Sequence, residues 1–288
     1  MIAVFKRELN AYFKGIMGYL ASAFLLIFAG IYTMAYNLSG YYANFEYVVS
    51  SIGFIYLIAV PVLTMRSVAE EKRSKTDQLL YSLPISMTDV ILGKYLALLT
   101  VLLVPVAIIG VYPLILTQFG NISLKMAYGS LAAYFMLGAT LLSIGLFISS
   151  VTESQIASAV ITLVAMLFLY FMSSLASFVS TSAEASVTAI LICVILFAFA
   201  VLMLTKNVLI GIFTAGIGGV SVYLFYSWDK TVFAGLFPKM MESLSVFDRF
   251  DTFIGGVFDM TAIVYYLSII TVFLFMSVQA MEKRRWSA

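Results

Sequence analysis

The sequence has no histidine and a single cysteine, Cys193. Zinc sites and disulfides need several of these residues, and histidine is the usual acid–base group near neutral pH, so all three are excluded or nearly so. Cys193 lies inside an apolar run, where a small packing role is expected. We therefore predict no catalytic residue, no metal site and no cofactor site in this chain.

Charge is also scarce. Charged residues make up 10% of the 288 positions, whereas hydrophobic residues make up 63%, and the net charge of +2 is too small to indicate a nucleic-acid partner. Runs of about 20 apolar residues recur without the alternation of a transmembrane strand. The expected fold class is all-α, a polytopic bundle of transmembrane helices.

Hydropathy predicts eight spans in one transmembrane domain over residues 1–288. The pair that flanks Lys206-Asn207 is the weakest, because so short a polar turn could be a kink, and six spans is the alternative. The predicted spans cover residues 18–38, 47–65, 95–119, 127–151, 155–179, 187–205, 208–227 and 261–281.

Most basic residues fall on one side of these spans. The positive-inside rule then places both termini and the loop 66–94 in the cytoplasm of a multi-pass protein of the plasma or inner membrane. Twelve of the sixteen lie on this side: Lys6, Arg7, Lys14, Arg66, Lys72, Arg73, Lys75, Lys94, Lys206, Lys283, Arg284 and Arg285.

Two segments outside the spans are amphipathic. Residues 1–17 carry apolar positions on one helical face and Lys6, Asn10 and Lys14 on another, which predicts a helix in the membrane interface. Residues 228–260 are predicted to form short amphipathic or re-entrant helices on the extracellular side. Four tyrosines at the outer ends of the first two spans are interpreted as an aromatic belt: Tyr36, Tyr41, Tyr42 and Tyr47.

The spans also lack ionisable groups at mid-membrane, where gradient-driven carriers usually bind the coupling ion. Every acidic residue falls in a loop or at a span end. Gly93-Lys94 is not part of a phosphate-binding loop, because Thr88 stands where its first glycine would be and Tyr95 follows. The absence of ionisable groups at mid-membrane argues against coupling to an ion gradient, although carriers that bind sodium only through carbonyl and hydroxyl oxygens would escape the argument. The chain is predicted not to hydrolyse ATP by itself.

The loop 66–94 is the densest charged stretch of the chain. Within it Thr76, Leu79, Leu80 and Leu83 share one face of a predicted helix. Pro84 ends that helix and Ser86 can cap the next one. A short apolar-faced helix in the cytoplasm would fit a groove on a soluble partner, although a solvated anchor loop is the alternative.

Two separated parts of the chain carry distinctive motifs. They comprise Ala69-Glu70-Glu71-Lys72-Arg73, Thr76, Leu79-Leu80, Leu83-Pro84-Ile85-Ser86, Gly93-Lys94, Phe247-Asp248-Arg249-Phe250, Phe253, Gly255-Gly256, Asp259, Tyr265-Tyr266-Leu267-Ser268 and Met281-Glu282-Lys283-Arg284-Arg285-Trp286. With the topology, these motifs resemble type-2 ABC export permeases of the NatB, NosY and gliding-motility kind, over essentially the whole chain. Many of those proteins have glycine where this chain has Lys75, and six spans are usual among them.

This resemblance implies a non-catalytic permease subunit of an ATP-driven exporter. A separate ABC ATPase subunit would bind ATP and Mg, and a second permease copy, identical or related, would complete the pore within membrane lipid. Glu70, Glu71 and Arg73 would form polar contacts with the ATPase. The coupling helix would add the apolar and turn residues Thr76, Leu79, Leu80, Leu83, Pro84 and Ser86.

Two other functions stay open at this point. A force-transmitting scaffold would need the ATPase and an extracytoplasmic auxiliary protein but would carry no solute. A gradient-driven carrier would need no ATPase. The apolar spans do not indicate a substrate.

Overall fold

The computed structural model describes residues 1–76, 85–205, 208–228 and 230–287. These residues form helices and connecting turns, with no strand among them, which confirms the expected all-α class. The helices, numbered in chain order, are α1 (Ile2–Lys14), α2 (Met17–Thr33), α3 (Glu46–Ile52), α4 (Tyr56–Thr64), α5 (Ala69–Arg73), α6 (Met87–Ile109), α7 (Tyr112–Leu116), α8 (Leu124–Val151), α9 (Gln155–Phe178), α10 (Ala183–Thr205), α11 (Val208–Trp228), α12 (Leu236–Leu244), α13 (Val246–Ile254) and α14 (Met260–Ser287).

Six helical segments of the described residues are long and apolar enough to cross a membrane. Each of the six coincides with a predicted span: Met17–Ser39, Glu46–Arg73, Met87–Leu116, Leu124–Val151, Gln155–Phe178 and Met260–Arg285. Helices α10 and α11 coincide with the two further predicted spans and contain 23 and 21 residues, so the prediction of eight spans stands beside the alternative of six. The predicted turn at Lys206-Asn207 lies outside the described residues.

Contacts divide the chain into two compact units. The first unit contains Met1–Leu169 and Val246–Ala288, and the second contains Tyr170–Ser245. Helix α8 is central to the first unit, because it packs against α3, α4, α6, α13 and α14. In the most apolar stretch of α8, 72% of the residues are buried, whereas the corresponding share for the first span is 28%. Helix α2 therefore lies at the periphery of this unit.

Two stacked tyrosines fill the middle of the first unit. The rings of Tyr56 and Tyr134 lie 4.4 Å apart at 18°, and neither side chain is exposed. Tyr56 donates a hydrogen bond to the Tyr134 carbonyl at 3.2 Å, and Tyr134 donates to the Ile52 carbonyl at 3.5 Å. Each buried hydroxyl therefore has a backbone acceptor, as burial requires.

Glycines on α8 allow α4 to approach closely. A Cβ atom at Gly138 would lie 2.7 Å from the Tyr56 hydroxyl, and one at Gly145 would lie 2.5 Å from Thr64 Oγ1. Small residues at such contacts let helix backbones pack tightly where apolar burial cannot drive association. The packing of α4 on α8 thus depends on these two positions.

The second unit is built on the pair α10 and α11. A Cβ atom at Gly218 would lie 2.5 Å from Val194 Cγ1, so the two helices pack closely there. Helix α12 follows Gly235, whose φ of +70° is in the left-handed region that favours glycine. It packs against α10, where the Phe237 N–H donates to Ser186 Oγ at 3.5 Å.

The segment 228–260 contains two short helices, α12 and α13. Helix α13 buries Val246, Phe247, Phe250 and Phe253 in the first unit. The Tyr266 hydroxyl donates to the Val246 carbonyl at 3.0 Å, which ties the start of α13 to α14.

Candidate coupling site

Hydrogen bonds, two of them from backbone N–H groups, attach the polar end of the second span to α8. The N–H groups of Val68 and Ala69 both donate to Ser149 Oγ at 3.1 Å. Lys72, which is buried, donates from Nζ to the Ser150 carbonyl. The two bonds to Ser149 satisfy N–H groups at the start of α5, which a helix start leaves without partners, and the Lys72 bond satisfies a carbonyl at the end of α8. Helix α5 is therefore attached to the last turn of α8.

Helix α1 packs on α6 at a glycine. A Cβ atom at Gly93 would lie 3.0 Å from Val4 Cβ and 3.1 Å from the Met1 carbonyl oxygen. Farther along α1, the buried Tyr12 donates from its hydroxyl to the Leu63 carbonyl of α4 at 2.9 Å. The amino-terminal helix is thus held against both the second and the third span.

A buried lysine joins these three elements. Lys94, on α6, is 1% exposed, and its Nζ lies 2.9 Å from Glu8 Oε1 and 3.0 Å from Glu71 Oε2. It also donates to the Ser67 carbonyl at 2.6 Å. Arg7 donates to both carboxylates, at 2.6 Å to Glu8 and 2.5 Å to Glu71. We call Arg7, Glu8, Glu71 and Lys94 the ionic cluster.

The cluster is balanced in charge, with two cations and two anions. Removing one member of a buried pair leaves an uncompensated charge and costs about 3–5 kcal/mol. Burial by itself raises the pKa of Glu8, but the charge of Lys94 and the hydrogen bonds from Arg7 and Lys94 together outweigh it and lower that pKa. The contribution of Glu8 to stability is thus complete above the ordinary glutamate pKa of about 4.3 and is lost as pH falls through the lowered value.

The end of α5 has the geometry of a Schellman motif. The Thr76 N–H donates to the Glu71 carbonyl at 3.0 Å and the Lys75 N–H donates to the Lys72 carbonyl at 3.2 Å. Lys75 has a φ of +56°, which is the left-handed conformation. Glycine usually occupies this position of the motif, so Lys75 stands where glycine is most favourable.

The cap predicted at Ser86 is present. Its hydroxyl accepts a hydrogen bond from the Asp89 N–H at 3.1 Å and donates to Asp89 Oδ2 at 2.9 Å. Asp89 is also favourable near the positive end of the helix dipole. The start of α6 is therefore well defined by local sequence.

The structure places the other predicted coupling residues in different surroundings. Glu70 pairs with Arg66 at 2.7 Å, and Glu71 belongs to the ionic cluster. The side chains of Arg73 and Thr76 are exposed. Leu79, Leu80, Leu83 and Pro84 lie outside the described residues. The contact of any of them with an ATPase stays a prediction.

Sequence reasoning missed Arg7 and Glu8 as parts of this site and treated Lys94 as a loop residue. Glu8 and Lys94 lie 86 positions apart, so no local spacing joins them. One signal was available, because Glu8 interrupts an otherwise basic amino-terminal helix and an acidic residue there needs a cationic partner.

The described part of the chain contains six apolar helices of spanning length, and the chain is a multi-pass membrane protein. The family described as ABC-2 family transporter protein matches residues 28–280, and the chain therefore belongs to this family. It is the permease type of subunit, whose family implies an ABC ATPase partner in general. No curated protein matches the chain.

Proposed function

We propose that this chain is the permease subunit of an ATP-driven exporter and that the segment 66–86 receives the movement of a separate ATPase subunit. The ATPase would bind ATP and Mg, and two permease copies would form the transport path between them. This proposal extends the family assignment to a direction of transport, a partner and a contact site.

The anchoring of α5 is the observation that supports the proposal. Its first residues are bonded to Ser149 and Ser150 on α8, and Glu71 is paired with Lys94 on α6 and with Arg7 on α1. A force applied to α5 therefore reaches the second, third and fourth spans directly instead of bending a loop. Coupling by rigid elements of this kind is what a shift between two arrangements of helices requires.

The end of α5 provides a surface for such a force. Arg73, Ser74, Lys75 and Thr76 are all exposed, in contrast to the buried start of the helix. They directly precede the segment that carries the predicted apolar face of Leu79, Leu80 and Leu83. Apolar side chains outside the bilayer are stable only when a partner covers them, and a few such anchors usually carry most of the binding energy.

The decisive test replaces Leu80 with aspartate in the chain expressed together with its partner ABC ATPase. A charge in an apolar contact is costly to bury, so we expect co-purification of the ATPase to fall at least tenfold. Membrane insertion should be unchanged, because the substitution lies outside the spans. Leu80→Met is the matched control and should retain the complex.

Wild-type complex formation by Leu80→Asp would contradict the proposed contact.

The chain purified without the ATPase should hydrolyse no ATP. A scaffold instead of an exporter would be indicated by a large extracytoplasmic protein that co-purifies with the complex.

A further inference from the structure

Three tyrosines and two serines line a recess at the end of α2 that lies opposite the ionic cluster. The recess has a volume of about 360 Å³, and its lining residues are Tyr36, Tyr42, Tyr47, Ser50 and Ser51. Small-molecule sites in proteins usually have volumes of about 300–1,000 Å³. The four belt tyrosines are therefore not equivalent, because Tyr41 is 90% exposed and does not line the recess.

The backbone between α2 and α3 is specialised to place these rings. Met34–Ser39 is a π-helical turn, an element that is frequent at functional sites. A Cβ atom at Gly40 would lie 2.7 Å from the Tyr36 carbonyl oxygen and 3.0 Å from Tyr42 Cδ2, so only glycine fits there without movement. Tyr41 has a φ of +56°, and Asn37 Nδ2 donates to the Tyr42 carbonyl at 2.7 Å, which closes the turn.

The tyrosine rings stand nearly at right angles to one another. Tyr36 and Tyr42 have ring centroids 6.4 Å apart at 69°, and Tyr42 and Tyr47 have centroids 6.1 Å apart at 89°. Ser51 donates to the Tyr36 hydroxyl at 3.3 Å and so fixes the first ring. Rings at such steep angles can form adjacent walls of a cage, the geometry by which proteins bind quaternary ammonium groups through cation–π attraction.

The helix that carries Tyr47, Ser50 and Ser51 also carries a buried acidic residue, Glu46, which does not itself line the recess. Glu46 is 3% exposed, and its Oε2 has no hydrogen-bond partner among the described residues. No described lysine or arginine forms an ion pair with it. Glu46 precedes Ser50 by four positions on α3, so the two are neighbours on the helix surface, about 5–6 Å apart at Cβ. An ionised Glu46 would favour a cationic ligand over an anionic one in the recess.

We propose that this recess binds an organic cation with a quaternary ammonium group. The rings supply the cation–π contacts, the serines supply polar contacts at the rim, and an ionised Glu46 would add attraction. Tyr42 and Tyr47 are 55% and 47% exposed, so the rings are accessible to a ligand. The proposal goes beyond the proposed function, since binding here requires neither an ATPase nor transport.

Equilibrium dialysis with radiolabelled choline tests the proposal on the full chain purified in detergent. Saturable binding is expected for the wild-type chain. The neutral carbon analogue 3,3-dimethylbutan-1-ol should not compete, because it has the same shape but no charge. Tyr42→Leu and Tyr47→Leu should each weaken choline binding at least about fivefold, in the range of a partly desolvated cation–π contact.

Tyr47→Phe separates the ring from its hydroxyl and should keep choline affinity within about twofold. Tyr19→Leu is the matched control, because Tyr19 is an exposed tyrosine at the other end of α2 and should leave binding unchanged. Absence of saturable choline binding to the wild-type chain would overturn the proposal. Equal competition by the neutral analogue, or a loss in Tyr47→Phe as large as in Tyr47→Leu, would do the same.

Discussion

At the residue scale, Lys75 is one of two described non-glycine residues with a left-handed backbone, the other being Tyr41. Its φ of +56° completes the Schellman motif at the end of α5. A side chain with a Cβ atom costs about 1–2 kcal/mol in this conformation. Glycine would remove that strain but would add about 0.5–1 kcal/mol of conformational entropy in the unfolded chain. Strain is the larger of the two effects.

We therefore expect Lys75→Gly to stabilise the protein by about 0.5–1 kcal/mol. Equilibrium denaturation in detergent micelles would measure the change. Ser74→Gly is the matched control, since Ser74 has a φ of −82° and gains nothing from glycine. A loss of stability in Lys75→Gly would show that the lysine side chain makes a contact worth more than the strain.

At the scale of helices, the two ends of α8 differ in the space that surrounds their glycines. Gly145 faces Thr64 so closely that a methyl group would lie 2.5 Å from Thr64 Oγ1. Gly129 has no atom within 4 Å of the same position. Both residues are inside one helix, where alanine is intrinsically preferred over glycine by about 1 kcal/mol.

Gly145→Ala should destabilise the protein by about 1–3 kcal/mol, because the added methyl group forces α4 away from α8. Gly129→Ala should instead stabilise it by about 0.5–1 kcal/mol through helix propensity alone. Thermal unfolding of both variants, followed by the loss of helical circular dichroism, gives the comparison. Equal effects at the two positions would show that α4 moves without cost.

The helices that sequence predicted correctly are those specified by local patterns. Continuous apolar runs identified the six spans, and the Ser86 cap followed from its place after Pro84. The short helix Gly53–Ile55 that interrupts the second span was not predicted, because nothing polar marks it. The ionic cluster was not predicted either, since Glu8, Glu71 and Lys94 are brought together by the packing of helices that are distant in sequence.

At the scale of the whole molecule, orientation in the membrane rests on charge. The positive-inside rule predicts that the end of α5 and the carboxyl terminus share the cytoplasmic side. Two of the basic residues that support this orientation, Arg7 and Lys94, form ion pairs in the ionic cluster. The remaining exposed basic residues still favour the same side.

Cysteine labelling in intact cells checks this orientation. After Cys193 is replaced with serine, cysteines at Ser74 and Ser287 should react only with reagents that enter the cytoplasm. A cysteine at Ser243 should react with an impermeant maleimide added outside. Labelling of Ser74 by the impermeant reagent would place α5 on the wrong side for any contact with an ATPase.

The buried lysine also has a consequence for the order of biosynthesis. A lysine near the centre of an inserting helix costs about 2.5–3.5 kcal/mol, and toward its end a paired carboxylate can offset part of that cost. Glu8 and Glu71 both precede Lys94 in the chain, so the ribosome has made each anion before the third span enters the bilayer. Ser149 and Ser150 follow later, so α5 can be joined to α1 and α6 before it is joined to α8. Glu8 of the amino-terminal helix is thus in place before its ion-pair partner Lys94 enters the membrane with the third span.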